Sequence, residues 1–317
     1  MPHWTAADIP DQSGRTALIT GANSGLGLTS AKALAARGAR VLLACRSPER
    51  GRAALHQVAE VADTRPELVQ LDLADLSSVR AAADEIRNRA EERIDVLLNN
   101  AGVMATPKRT TRDGFELQIG TNHFGHAALT WLLLPAMAPG ARVVTVSSLA
   151  HWGGSLDLTD LNFQRRTYRP MKAYSQSKLA NLLFALQLDR AAREAGRDLI
   201  SVCAHPGISA TELGLNSVRL RSLPAPLLGV ARAVNRVIGQ NPGTGALPQL
   251  HAATAPDVRG GDYFGPGGPG ELRGHPERAR RSRAAQDVRT AERLWQITAE
   301  LTGIEPPLAP PPERHAK

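Results

Sequence analysis

Short apolar runs alternate along this chain with longer, alanine-rich stretches of helical periodicity, and this constrains the fold more than any other feature. TALIT (16–20) leads into helical sequence near 25–37, RVLLA (40–44) into 48–61, and ELVQL (67–71) into 77–91. IDVLLN (94–99), RVVTVS (142–147) and LISVCA (199–204) continue the series. Runs that are apolar at nearly every position must be covered on both faces, which is the condition of a strand inside a parallel sheet. The alternation therefore predicts an α/β chain with a single doubly wound parallel sheet and helices on both faces.

Composition bounds the rest. Of 317 residues, 42% are hydrophobic, enough for a substantial core, and only 4% are aromatic, so Ala, Leu and Val must fill it. One domain is expected over 1–303, with a final helix near 284–302 packing through Val288, Leu294, Ile297 and Leu301. The Pro-rich tail 304–317 is expected to be disordered. Two cysteines, Cys45 and Cys203, are too few for a disulfide scaffold and fit a reducing, cytoplasmic setting. They end strands that this topology keeps apart, so they read as buried small residues. The N-terminal sequence lacks the pattern of a signal peptide. The longest apolar stretch, 126–139, is shorter than the roughly 20 residues of a membrane span and reads as a buried helix.

The net charge of +8 comes almost wholly from arginine. Its densest cluster, 273–283, reads as a solvated face or as a contact for an anionic partner. It lacks interleaved aromatics and nucleic-acid-binding motifs, so no nucleic-acid partner is expected. No His, Cys or carboxylate cluster has the spacing of a metal site, and none is expected.

Directly after the first apolar run comes TGANSGLG, with Gly21, Gly25 and Gly27. A chain turning from strand to helix while a pyrophosphate approaches its backbone has no room for side chains there. The helix N-terminus then supplies N–H groups and a positive dipole for the anion. Asn23, Ser24 and Leu26 belong to the same loop. A dinucleotide site of the Rossmann type is the reading, because the glycines fall between a strand and a helix. NAD sites place a carboxylate at the end of the second strand; here that strand ends in LLACRS, and Arg46 stands there instead. Its planar fork suits a 2′-phosphate, so NADP (NADPH) is expected over NAD.

Tyr174 and Lys178, in AYSQSK, lie four residues apart on one face of a helix. Together with the glycine loop, LDL with Asp72 and Leu73, NNAG (99–102), TNHFGH with Asn122, VSS (146–148) and HPG (205–207) followed by Thr211, the chain resembles the short-chain dehydrogenases/reductases. The wording is most similar to the branch that includes retinol dehydrogenases and protochlorophyllide reductases. The resemblance spans about 14–265. It implies Asn122, Ser148, Tyr174 and Lys178 as catalytic residues, with Tyr174 the proton donor and acceptor and Ser148 polarising the substrate oxygen. Asn122 would hold a water linking Lys178 to solvent. Strand alternation points Ser147 and Ser148 apart, and Ser148 is taken because the branch that the chain resembles uses the second serine of VSS. Asn99, Ala101, Gly102, Pro206, Gly207 and Thr211 would line the coenzyme, and Lys178 would also hold its ribose. A free phenol has a pKa near ~10. The ammonium of Lys178, together with the positive charge of an oxidised nicotinamide, is expected to pull it down.

The expected activity is NADP(H)-dependent interconversion of a carbonyl and an alcohol, on a small apolar substrate. Reduction of a C=C bond on the same scaffold and a non-catalytic dinucleotide sensor are the alternatives. The segment 208–242 follows a strand's carboxyl end and reads as a substrate lid or an ordinary helical connection. His151 and Trp152, in the long 149–172 insertion, are substrate contacts or loop packing. His205 reads as structural. A homodimer through 112–138 and 173–195 is compatible with the apolar run 126–139, as is a monomer's core.

Overall fold

The structure is a computed structural model that describes residues 3–88, 93–208 and 241–308. Strands β1 (Thr16–Thr20), β2 (Arg40–Cys45), β3 (Glu67–Gln70), β4 (Ile94–Asn99), β5 (Met137–Val146), β6 (Leu199–Ala204), β7 (Tyr263–Pro266) and β8 (Pro276–Arg278) form one sheet, ordered β3-β2-β1-β4-β5-β6-β7-β8. Neighbours from β3 through to β7 pair parallel, and β8 runs antiparallel along β7. The strand order reverses between β1 and β4, and a doubly wound sheet binds ligands beyond the carboxyl ends of its strands at such a point. Those ends carry Gly21, Arg46 and Ser148.

Period-two alternation divides the core. Leu18, Leu42, Leu97 and Val143 face one way, under α3 (Leu76–Asn88), α5 (Gly125–Leu133) and α6 (Pro170–Glu194). Ile19, Leu43, Leu98, Val144 and Val202 face the other way, under α1 (Gly25–Ala35), α2 (Pro48–Ala59) and α8 (Leu247–Thr254). Single turns α4 (Leu117–Ile119) and α7 (Pro242–Gly245) complete the set before α9 (Val288–Thr302). Local signals set the ends. Ser47 caps α2 with Pro48 at its first position. Asp287 caps α9 through Arg289 and Thr290, and Gly303, in the left-handed region, ends it.

The sequence places the first, fourth and sixth strands at their observed bounds. The apolar run 126–139 differs: its helix stops at Leu133, a 3₁₀ turn holds Pro135, and β5 already begins at Met137. In the last helix Leu294 is buried as expected, but Val288 and Leu301 are exposed. Ala291, Thr298 and Ala299 face inward in their place. The arginine-rich 273–283 segment supplies the edge strand β8, with Arg278 paired to Asp262 at 3.1 Å. Ile304 is buried and Leu308 packs on the same core, so the chain stays on the body that far; the rest of the expected tail, 309–317, lies outside the described residues.

Helix α9 lies across the α5–α6 face. Trp295 stacks on Phe184 at 5.6 Å and meets Trp131 edge-on at 4.7 Å, and His123 Nε2 is 3.0 Å from Thr298 Oγ1. Both cysteines are free and buried. Among the described residues no helix is long and apolar enough to cross a membrane.

Candidate active site

The glycine loop packs too tightly for side chains. Gly21 is at φ +67°, and a Cβ there would stand 3.0 Å from the Cα of Ala101. At Gly27 a Cβ would stand 2.4 Å from the carbonyl oxygen of Gly21, so α1 can only start this close to β1 with glycine at that position. Asn23, Ser24, Gly25 and Leu26 are half-buried around the turn, and the Ser24 hydroxyl makes no cap bond to the first turn of α1. Among the described residues, the N–H groups of that turn are thus left without a side-chain partner at the sheet's switch point. This cradle fits a dinucleotide pyrophosphate. Arg46 is exposed at the end of β2, the strand beside β1, and has no hydrogen bond or ion pair among the described residues.

Two further residues fasten this edge. Asn100 Nδ2 donates to Thr20 O at 2.8 Å, and Gln249 Nε2 donates to Ser30 Oγ at 2.8 Å and to Asn100 Oδ1 at 3.3 Å. Sequence reasoning chose Asn99 here, but its side chain is fully buried and donates to Thr130 Oγ1 at 3.0 Å. Neighbouring residues at a strand end point opposite ways, and Asn100 takes the position at the loop. Ala101 N donates to Thr20 Oγ1 at 3.0 Å. Asp72, after β3, uses Oδ1 to accept from Ala74 N at 3.0 Å, and the carbonyl of Leu73 packs on Gly125.

Around the carboxyl end of β5 the polar groups converge. Tyr174 and Lys178 lie one turn apart on α6 and are 7% and 4% exposed. Ser148 follows β5, caps the 3₁₀ turn Leu149–Gly153 through Ala150 N, and faces the Tyr174 phenol, where it acts to lower the phenol's pKa. Ser147 points away from it and donates to Lys178 O at 2.8 Å, as the alternation argument requires. Lys178 Nζ donates to Val146 O at 3.0 Å, an oxygen it shares with Asn181 Nδ2. Asn122 sits in a π-helical stretch, Gly120–Phe124. Its Oδ1 accepts from Val103 N at 2.8 Å, and its Nδ2 donates to Val103 O and to Ser177 Oγ, both at 2.9 Å. A Cβ on Gly102 would fall 3.1 Å from Asn122 Oδ1 and 3.6 Å from Lys178 Nζ, so this glycine leaves room between the two.

Burial dominates the electrostatics of the free protein. It pushes the Tyr174 phenol up to about 12, opposed by the neighbouring Ser148. Lys178 is pushed down to about 8, again by burial. Its ammonium, 5.8 Å from the Tyr174 ring centroid, is spent on Val146 O. In the free protein desolvation therefore decides both groups.

Beyond β6, Pro206 and Gly207 reach the rim, and Ile208 N donates to Leu272 O at 2.9 Å. Thr211 and nearly all of the expected lid, 209–240, lie outside the described residues. His205 is a packing residue: its Nε2 is 3.1 Å from Glu271, its Nδ1 accepts from Gly207 N, and it is buried against Gly265. His151 is buried too, with Nδ1 2.8 Å from Ser148 O and Nε2 accepting from Ser282 N at 3.3 Å. Its neighbour Trp152 is 53% exposed. Among the described residues no group of three His, Cys, Asp or Glu side chains could hold a metal ion.

Residues 15–219 match the family model for short chain dehydrogenases. Human retinol dehydrogenase 13 is 39% identical over 307 residues, covering 95% of this chain and 87% of that protein. Mouse polyprenol dehydrogenase is 38% identical over 304 residues, 93% of this chain and 86% of its own length. Among solved structures, an uncharacterised protein of Mycobacterium paratuberculosis superposes with a TM-score of 0.78 at 44% identity, over 96% of this chain and all of the other. A short chain dehydrogenase from Burkholderia cenocepacia, solved in complex with NADP, shares the fold at a TM-score of 0.62 and 22% identity, over 80% of this chain and 96% of that one. A family match over more than half the chain, with relatives near 39% identity across almost all of it, leaves one conclusion: the chain belongs to the short-chain dehydrogenase family of oxidoreductases, and it resembles the retinol dehydrogenases within it.

Proposed function

We propose that this protein interconverts an apolar alcohol and its carbonyl with NADP(H), using Tyr174 as the general acid and base. The observation that carries the reading is the buried Tyr174 phenol, beside Ser148 and one helical turn from Lys178. A phenol pushed up to about 12 is protonated at every working pH and is a ready donor to a carbonyl oxygen. Ser148 supports that oxygen from the side and polarises it. Lys178, pushed down to about 8, still carries its charge at neutral pH and favours the phenolate left behind.

The coenzyme supplies or accepts the hydride. The cradle of Gly21, Gly25 and Gly27 would hold its pyrophosphate, with Asn100 and Gln249 fixing the loop from behind. Arg46, exposed at the end of β2, suits the additional phosphate of NADP. Thr211 remains the candidate for holding the carboxamide.

Two features support an apolar substrate. Trp152 and Met171 present exposed apolar surface on the elements that carry Ser148 and Tyr174. The similar human and mouse enzymes are named for retinol and polyprenol, both apolar alcohols. A homodimer through α5 and α6 is not part of this reading, because α9 covers that face.

A panel of apolar carbonyls with NADPH and NADH, followed at the reduced-nicotinamide absorbance, tests the reading. NADPH-dependent formation of alcohols that disappears in Tyr174→Phe is expected. Products reduced at C=C, or a Tyr174→Phe enzyme as fast as the parent, overturn it.

A further inference from the structure

Thr20, the last residue of β1, has a hydroxyl at the centre of four contacts. It accepts from Asn100 N at 2.9 Å and from Ala101 N at 3.0 Å, using both lone pairs on the backbone of the coenzyme edge. Its one proton then has two candidate acceptors: Leu98 O at 3.3 Å and His126 Nε2 at 2.9 Å. The other nitrogen of that ring, Nδ1, is 3.0 Å from the backbone oxygen of Asn122.

A carbonyl oxygen can only accept, so the proton of the imidazole must sit on Nδ1. Nε2 is then bare and accepts from Thr20. One arrangement of protons satisfies every group. The ring is 1% exposed, and its own backbone oxygen accepts from Thr130 Oγ1 at 2.7 Å. Thr130 Oγ1 in turn receives Asn99 Nδ2. Burial, with Lys178 nearby, keeps the imidazole neutral, lowering its pKa to about 4.

We infer that His126 is a positioning residue of the hydride-transfer site, joining the coenzyme edge at Thr20 to Asn122 through a ring protonated at Nδ1 and bare at Nε2. The inference rests on the proposed function. What the ring holds is the π turn, where Asn122 clamps Val103 on one side and Ser177, next to Lys178, on the other. Losing the Nδ1 donor releases the Asn122 carbonyl and loosens the turn, which moves the groups facing the reacting oxygen.

Three substitutions separate the two ends of the ring. Asparagine places an amide N–H where Nδ1 stands, glutamine reaches the position of Nε2, and leucine offers neither. With saturating coenzyme, His126→Leu is expected to lower kcat by about ten- to a hundredfold, the loss expected of a misplaced catalytic group. Coenzyme affinity, followed by tryptophan fluorescence, should stay within about threefold, because the cradle itself is untouched. His126→Asn should recover most of the kcat, and His126→Gln should not. Equal losses in the Asn and Gln variants, or a Leu variant that changes only thermal stability, overturn the inference.

A second measurement does not depend on turnover. Histidine ¹⁵N spectra of the free protein, assigned by the peak missing in His126→Leu, should show a protonated Nδ1 and a bare Nε2 throughout pH 6 to 9. The opposite tautomer, or titration in that range, overturns the inference even if every variant folds. If wild-type protein shows no turnover sensitive to Tyr174→Phe, the functional reading fails, and the spectra still decide the geometry of His126.

Discussion

At the carboxyl end of β5, Asn122, Ser147, Ser177, Lys178 and Asn181 are all hydrogen-bonded before any ligand arrives. At the end of β2, Arg46 stands in solvent and the first turn of α1 has no side-chain cap. On the proposed reading, the reacting side is organised by the protein, whereas the nucleotide side is left for its ligand to complete. The contrast follows from what each side must do. Proton transfer and charge stabilisation need groups already in place, because reorganising them in the transition state adds to the barrier. A phosphate brings enough charge to order exposed donors as it binds.

The sharpest way to break this contrast is Lys178→Met. The buried ammonium costs desolvation, which its lowered pKa reports. Methionine removes that cost, and Val146 O keeps Asn181 Nδ2 as a donor at 3.0 Å. Thermal stability should hold or rise by a few degrees, while kcat falls by about 10²–10⁴-fold, the range of a lost acid–base function. Circular-dichroism melting beside steady-state turnover measures both. A variant that loses stability and activity together would mean that Lys178 is chiefly a structural residue.

Acid tests the organised side as a whole. Burial holds His123 at about 3 and His126 at about 4, against an ordinary value of 6.5. Both folded-state values are depressed, so below pH 6.5 the unfolded chain takes up protons that the folded chain refuses. Stability is thus complete above pH 6.5 and lost as pH falls toward 4, at up to about 1.4 kcal/mol per group per pH unit. The depressed carboxylates Asp75 and Asp160 lose their contribution only below their ordinary range, near 4, so the two effects are separable. Urea unfolding at pH 7 and pH 5 should show a clear drop in midpoint. A flat profile would mean that water reaches these imidazoles.

On the nucleotide side, Arg46→Ala should raise the KM for NADPH by about 10–100-fold, the value of one or two charge-assisted hydrogen bonds, and leave that for NADH unchanged. Stability should not move, since Arg46 is exposed and makes no hydrogen bond or ion pair among the described residues. Equal effects on both coenzymes would place the 2′-phosphate elsewhere.

The two sides were not equally legible in the sequence. The glycine turn between β1 and α1 and the Tyr174–Lys178 spacing on α6 are local patterns, and sequence suffices to place them. So do the strands whose apolar runs are unbroken. What escaped is held by long-range contacts. Gln249 meets Asn100 across 149 positions, and His126 meets Thr20 across 106. Two adjacent asparagines cannot be told apart without knowing which faces the loop. The strand β8 was hidden because PER carries no apolar alternation and earns its place only through pairing with β7. Burial of the phenol escapes for a related reason: charge proximity is visible in an i, i+4 spacing, and burial is not.

The smallest expected effect separates two neighbours. His151 is fastened at both nitrogens, while Trp152, next in sequence, is half exposed and touches the His151 ring at 5.3 Å. One residue anchors the turn that Ser148 caps, and the other is displayed on it. Removing an exposed ring that supports no core should change stability by less than about 0.5 kcal/mol. Against a long apolar alcohol, Trp152→Ala should still raise KM about three- to tenfold, the worth of part of an aromatic face against a hydrocarbon chain. A small polar carbonyl cannot cover that face, so its KM should be unchanged. Such selectivity would assign Trp152 to the substrate. An equal change for both substrates would return it to loop packing, and the organised side of the site would then end at Ser148.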